Sequence, residues 1–204
     1  PMVRSFIGKF FLGLLSNTAA LCYTLRVLRL LTTKFEDSNA FEMGLIDKDG
    51  KKLRSPEGRT EKSAYNLFHR LVFNLKKLLA KVPGGKSSLA SYASALYLIK
   101  EHLELADFAV EKIVEACDLD PTLDLTEHTS WFCAKDGMLS SGMYTLAEPK
   151  VLASTCEEVC KAGDKVRVLD NAYPLDNILG LDIFEAVHIR TNQKIYVASE
   201  ELRR

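Results

Sequence analysis

With 204 residues, 47% of them hydrophobic, the chain is long enough to bury a core without disulfide or metal staples and suits one sizeable domain or two small ones. Its 27 basic and 27 acidic side chains cancel, which excludes a whole-molecule field that would steer it toward nucleic acid or an anionic membrane. The five cysteines (Cys22, Cys117, Cys133, Cys156 and Cys160) are odd in number and irregular in spacing, which argues against a disulfide framework and for a reducing compartment, with cytosolic synthesis expected.

Residues 10–25 carry no charge and lie between Lys9 and Arg26. The run is shorter than the about 20 apolar residues a spanning helix needs, and Ser16, Asn17 and Thr18 interrupt it. Leu21, Cys22 and Tyr23 after Ala19 and Ala20 make a poor signal-cleavage site, so no signal peptide is expected. The pattern predicts a helix over 5–33 with a broad apolar face of Phe6, Phe10, Leu14, Leu21, Leu25 and Leu28, buried against its own domain or a partner subunit. The alternative is an interfacial contact with anionic lipid, which Lys9, Arg26 and Arg29 would suit.

A connector follows over 34–62, broken by Asp, Gly and Pro, with one short helix around 40–44. Asp47-Lys48-Asp49-Gly50 resembles part of a calcium loop, but Leu45 and Pro56 stand where carboxylates are needed, so an Asp-Gly turn is expected. Residues 63–120 read as a helical hairpin and a following helix. Phe68, Leu71, Leu75, Leu78 and Val82 recur at helical spacing, as do Leu89, Tyr92, Leu96, Ile99 and Leu103, on either side of Pro83-Gly84-Gly85-Lys86. Ser91, Ser94 and Ala95 are small enough to let a neighbouring backbone approach. Gly85-Lys86-Ser87 is not a phosphate loop, because Ala80 occupies the required glycine position and a helix precedes it. The helical pattern runs on through Phe108, Val110, Ile113 and Val114, with or without a break near Asp107, and stops at Asp118-Leu119-Asp120-Pro121.

Residues 121–204 change texture to short segments. Strands over 129–134 and 138–146 are expected to pair across Lys135-Asp136-Gly137. A short helix is expected from Ser154, with Glu157 completing a capping box, ending before Gly163. Val166 and Val168, then Ile183, Val187 and Ile189, then Ile195 and Val197 alternate as half-buried strands do, with a hairpin turn at Thr191-Asn192-Gln193. The segment 163–202 resembles the small SH3-like barrels, which implies binding of a peptide, a protein surface or nucleic acid. The predicted fold class is therefore α+β: a helical region with a hairpin, then a small SH3-like barrel.

Charge is divided locally. The stretch 48–86 carries a balance of +8 and 101–127 a balance of −8. Either the two blocks face each other or solvate two surfaces, or the basic block meets phosphate or an acidic partner. Candidate chemistry is thin. Cys156 and Cys160 would share a helix face, yet no second Cys/His pair accompanies them, and two buried thiols are expected. His128 and Cys133 near Trp131 invite a nucleophile–base reading that no motif orients. His69 and His102 read as helix boundary residues, and His188 as a strand residue with Tyr196 for a cross-strand neighbour. No catalytic, cofactor-binding or metal-ligating residue is assigned.

The stretch 65–102, with its His69-Arg70-Leu71-Val72-Phe73-Asn74-Leu75 and Pro83-Gly84-Gly85-Lys86-Ser87 blocks, resembles small uncharacterised proteins of tailed bacteriophages. The likeness extends through Gly163-Asp164-Lys165-Val166 and Ile195-Tyr196-Val197. It implies a minor virion or head-assembly component, made in the host cytoplasm and carried into the virion, and it supplies no catalytic residue. The expected function is structural and non-enzymatic: docking onto protein subunits of a larger assembly through apolar helices. The alternative is a nucleic-acid-binding accessory protein that sets Lys51, Lys52, Arg54, Arg59, Arg70, Lys76, Lys77 and Lys81 against phosphates, with salt-sensitive affinity. A hydrolase using His128 or Cys133 is the third reading.

Overall fold

A computed structural model describes residues 22–81, 86–117, 137–170 and 172–204. Helix α1, over 22–32, turns Thr24 and Val27 into the core with Leu28 and Leu31 on its flanks. The predicted stripe is thus rotated: burial centres on the 24–27–31 row, and Leu25 points away from it. The hydroxyls of Thr32 and Thr33 donate to the carbonyl of Arg29 (3.0 and 2.8 Å), which satisfies an acceptor of the last turn.

In the connector, a short helix α2 (Asn39–Glu42) is capped by Ser38, whose hydroxyl oxygen accepts from the Phe41 amide at 3.3 Å. The Asp-Gly turn is present: Asp47 Oδ1 accepts from the amides of Asp49 (2.9 Å) and Lys51 (2.8 Å), and Gly50 has φ +75°. The ring of Phe35 lies directly on Gly50, so an added Cβ would stand 2.5 Å from it. Gly50→Ala combines left-handed strain with a clash and is expected to lower stability by about 2–4 kcal/mol, read from the urea midpoint. Helix α3 (Gly58–Ala64) is absent from the sequence reading because it has no apolar period. It is fastened by Glu61, which takes the Glu57 amide at 2.7 Å and the Arg54 guanidinium.

The hairpin is formed by α4 (Leu67–Leu79), capped by Asn66, and α5 (Lys86–His102). The turn between them lies outside the described residues. Helix α4 divides its apolar side chains, with Leu71 and Leu75 in the main core and Phe73 in a smaller cluster with Ala40, Leu45, Ile46 and Tyr65. Helix α5 is not the one-sided amphipath the periodicity suggests. From Leu89 to Ile99 only Tyr97 is less than buried, because α4 covers one side and the sheet the other. Ala90, Ser91, Ala93, Ser94 and Ala95 permit that close approach. Glu104, at φ +50°, ends α5 in a left-handed cap closed by the Leu105 amide on the Lys100 carbonyl (2.9 Å), and α6 (Asp107–Ala116) starts afresh.

The C-terminal region is a curled antiparallel half-barrel. Its strands β1 (Gly142–Leu146), β4 (Lys165–Val168), β5 (Asp176–Ile178), β6 (Leu181–His188) and β8 (Leu202–Arg203) run in the order β5-β6-β4-β1-β8, and β7 (Gln193–Ala198) also pairs with β6. Tyr144, Leu146, Val166, Val168, Phe184, Ala186, Ile195 and Val197 fill the concave side. Leu181, Ile183 and Ala198 lie on the other side, in the core shared with α5. A 3-10 turn (Ser199–Glu201) joins β7 to β8.

Four expectations change here. The segment after Ser154 is not a helix: β2 (Lys150–Val151) pairs antiparallel with β3 (Glu158–Cys160). Cys156 takes φ +54°, and the Glu157 carboxylate turns to Lys52 rather than back to a cap. The 138–146 strand is only Gly142–Leu146, and its described partners are β4 and β8; 129–134 lies outside the described residues. On β6 the concave side takes Phe184, Ala186 and His188, so Val187 is only partly buried and Ile189 is exposed. Finally, His188 faces Gln193 across the hairpin, and Tyr196 faces Glu185.

Candidate functional site

A cleft of about 540 Å³ lies between α4 and the β2–β3 hairpin. Half of the predicted phosphate contacts meet there: Lys51, Lys52, Arg70 and Lys77. Three of them meet carboxylates of this same chain, while Lys51 is exposed with no ion pair among the described residues. Lys52 Nζ lies 2.8 Å from Glu157 Oε1, and Lys77 Nζ lies 2.7 Å from Glu158 Oε2. An Arg70 Nη lies 3.8 Å from that Glu157 oxygen and donates to the Thr155 carbonyl at 2.9 Å. The hydrogen bond from Lys52 holds the Glu157 carboxyl below the usual carboxylate range, against the opposing effect of burial.

The other four cations point elsewhere. Arg54 forms a two-pronged fork on Glu61, both contacts 2.7 Å, and these bonds bring the Glu61 carboxyl down to about 2. Lys76 donates to the Thr33 carbonyl and sits 4.6 Å above the Phe35 ring; its burial lowers its pKa. Arg59 and Lys81 are exposed, with no ion pair among the described residues. The +8 and −8 blocks therefore do not neutralise each other across the described residues. The basic block is answered by Glu61, Glu157 and Glu158, while Asp107 pairs with Lys100, Glu115 with Lys112, and Glu101 accepts from the Tyr196 hydroxyl.

Of the predicted apolar interface, Phe6, Phe10, Leu14 and Leu21 lie outside the described residues. Leu28 is half-buried in the core, whereas Leu25 is 57% exposed, with Tyr23 beside it at 37%. Arg26 crosses from α1 to α4, its guanidinium 4.7 Å from the Phe68 ring centroid. Among the described residues no helix is long and apolar enough to cross a membrane.

His128, Trp131 and Cys133 also lie outside the described residues. Cys156 and Cys160 are not on one helix face but in two different cores, the first with the helices and the second inside the half-barrel. Burial pushes their thiols up to about 12 and about 11, far from the thiolate a nucleophile or a metal needs. Among the described residues no cluster of three or more metal-ligating side chains occurs.

Two polar arrangements escaped sequence reasoning. His188, fully enclosed, lies between Thr191 Oγ1 (2.8 Å) and Asp164 Oδ2 (2.9 Å). With Nε2–H donated to the carboxylate, Nδ1 accepts the threonine hydroxyl. Asp164 also takes the Lys161 amide (2.9 Å) and Arg190 (3.0 Å), and these bonds hold its carboxyl well below the usual range. The bonds clasp the β6–β7 turn to the 161–164 turn. The second arrangement is a buried ion pair. Lys150, 7% exposed, meets Glu201, 0% exposed, at the surface where α5 crosses the sheet. Glu201 Oε1 accepts from Ser91 Oγ and Oε2 from the Ala198 amide, both at 2.9 Å, and Lys150 also donates to Ser94. Beside it is a cavity of about 20 Å³, lined in part by Asn74, Ser91 and Lys150, with room for one water. The sequence signal was Ser91 and Ser94 one turn apart within an apolar helix, since buried hydroxyls require partners.

Comparison of the chain with protein-family models, with curated proteins and with solved structures finds no match.

Proposed function

We propose that the chain is a non-enzymatic structural protein that docks onto a subunit of a larger assembly through the outer face of α1. The observation that carries this reading is Leu25, 57% exposed on a helix whose opposite side is already packed. A single exposed leucine is ordinary, but this one has exposed Tyr23 and Cys22 beside it and lies at the end of the uncharged 10–25 run. The resemblance to small tailed-phage proteins would make the partner a virion or head–tail subunit, and the half-barrel would be an SH3-like module in that assembly. Phosphate binding by the 48–86 block draws less support, because Lys52, Arg54, Arg70 and Lys77 already face glutamates.

The test compares wild type with Leu25→Asp as bait in a lysate of the producing cells, alongside duplex DNA at low and high salt. A protein retained stoichiometrically by wild type and reduced at least about tenfold by the variant, a change worth about 1.4 kcal/mol or more, is the expected result. Retention that Leu25→Asp leaves unchanged, or binding to DNA at low salt that high salt reverses, overturns the reading.

A further inference from the structure

Among the described residues, nothing covers part of the half-barrel's convex side. Residues directly opposite in antiparallel strands share a face. Met143, Arg167, Val187 and Lys194 therefore form one cross-strand row, and Arg203, Thr145 and Lys165 the next. Ile189, 44% exposed, is fixed beside Lys165 by an amide-to-carbonyl bond of 3.0 Å, and Met143 is 49% exposed. Lys194 is held by Glu185 at 3.0 Å. Lys165, Arg167 and Arg203 have no carboxylate partner among the described residues. Helix α5 covers the neighbouring stretch of the same side, where Tyr196 packs edge-on against Tyr97. The bare remainder is basic and apolar.

The same chain carries a surface of opposite character. Between α6 and the β5–β6 turn runs a groove of about 520 Å³ with Asp107, Glu111, Glu115 and Asp176 around Val114 and Leu179. Asp107 and Asp176 share one cation, Lys100, and Glu115 is met by Lys112. Glu111 has no ion pair among the described residues. The groove is therefore acidic and apolar.

We infer that the bare convex face of one copy docks into the α6 groove of a second copy of this chain. Each surface offers apolar side chains among charges of which one sign is in excess, and the signs are opposite. Among the described residues, Lys165, Arg167 and Arg203 lack a carboxylate on the face, while Glu111 is unpaired and Asp107 and Asp176 share one lysine in the groove. The zero formal net charge adds no repulsion between copies. Because the two surfaces differ, the contact is head-to-tail and leaves a free face and a free groove on every pair, so it propagates. This self-association is independent of the α1 surface, and Leu25→Asp leaves it intact.

The experiment is sedimentation velocity on the full chain over a range of concentrations, with two double variants at exposed positions. One reverses the face (Lys165→Glu with Arg167→Glu) and the other reverses the groove (Glu111→Lys with Glu115→Lys). Wild type is expected to grow in mass with concentration at low salt and to return to monomer near ~0.5 M salt, where the screening length falls to a few ångströms. Each variant alone is expected to stay monomeric with an unchanged melting temperature. An equimolar mixture is expected to associate again, because the intact face meets the intact groove and the reversed, acidic face meets the reversed, basic groove. A wild type that stays monomeric, a variant that associates like wild type, or a mixture that stays monomeric overturns the inference. Monomeric wild type that binds duplex DNA, with binding lost in the face variant, also overturns it and reassigns the face to phosphate.

Discussion

Lys150→Met is expected to lower stability by about 3–5 kcal/mol, because it leaves the fully buried carboxylate of Glu201 without its cation. For a chain of this length that loss amounts to a fall in melting temperature of roughly 6–20 °C. Ser91 and the Ala198 amide would still donate to Glu201, but both are neutral donors and do not compensate a buried charge. Glu201→Gln is expected to cost less, since an amide can keep at least the bond from the backbone. The two changes together should cost less than their sum, because the double variant has no unpaired ion. Urea titrations of the four proteins give the coupling directly. A Lys150→Met loss below about 1 kcal/mol would mean that water reaches the pair and that it does not behave as buried.

Phe73→Ala is expected to cost about 3–5 kcal/mol through an unrelieved cavity. Phe73 is 2% exposed and holds the small cluster together. Its ring centroid is 5.2 Å from Phe35, 6.1 Å from Tyr65 and 6.0 Å from His69, and Phe35 in turn lies under Lys76 and against Gly50. Deleting the ring therefore loosens the connector from α4 as well as removing contact area. Phe73→Leu, which keeps most of the volume, should lose less than about 1.5 kcal/mol. Similar losses for alanine and leucine would show that ring-on-ring geometry, not cavity volume, sets the stability of this cluster.

What could be read from the sequence follows the range of the interactions involved. Helices α4 and α5 and strands β4, β6 and β7 announced themselves because 3.6- and 2-residue periods are local consequences of a buried face. The Asp47 turn was legible for the same reason, since its bonds span two to four residues. The segment after Ser154 was misread because Ser154 and Glu157 match a capping box in spacing. Glu157 is drawn instead to Lys52, 105 residues away, and Arg70 bonds to Thr155 across 85 residues. Charged side chains show no periodicity that reveals their partners, so among the eight cations offered as alternative phosphate contacts, the four that meet glutamates (Lys52, Arg54, Arg70 and Lys77) could not be told from the rest. Burial on β6 was misjudged because sequence alternation does not say which side faces α5 and which faces the half-barrel interior. Leu181 and Ile183 took one core, Phe184 and Ala186 the other.

The bond from Ser91 to Glu201 joins positions 110 residues apart. Closing a loop of that length costs roughly 4 kcal/mol of chain entropy before the contact returns anything. Helix α5 can wind early, from local bonds alone, but the polar seam on its surface must wait for β7 and the turn that presents Glu201. A contact made after the folding barrier acts as a latch: it slows opening without hastening closure. Removing the Lys150–Glu201 seam is therefore expected to speed unfolding more than it slows folding, which the two arms of a urea chevron for Lys150→Met would separate.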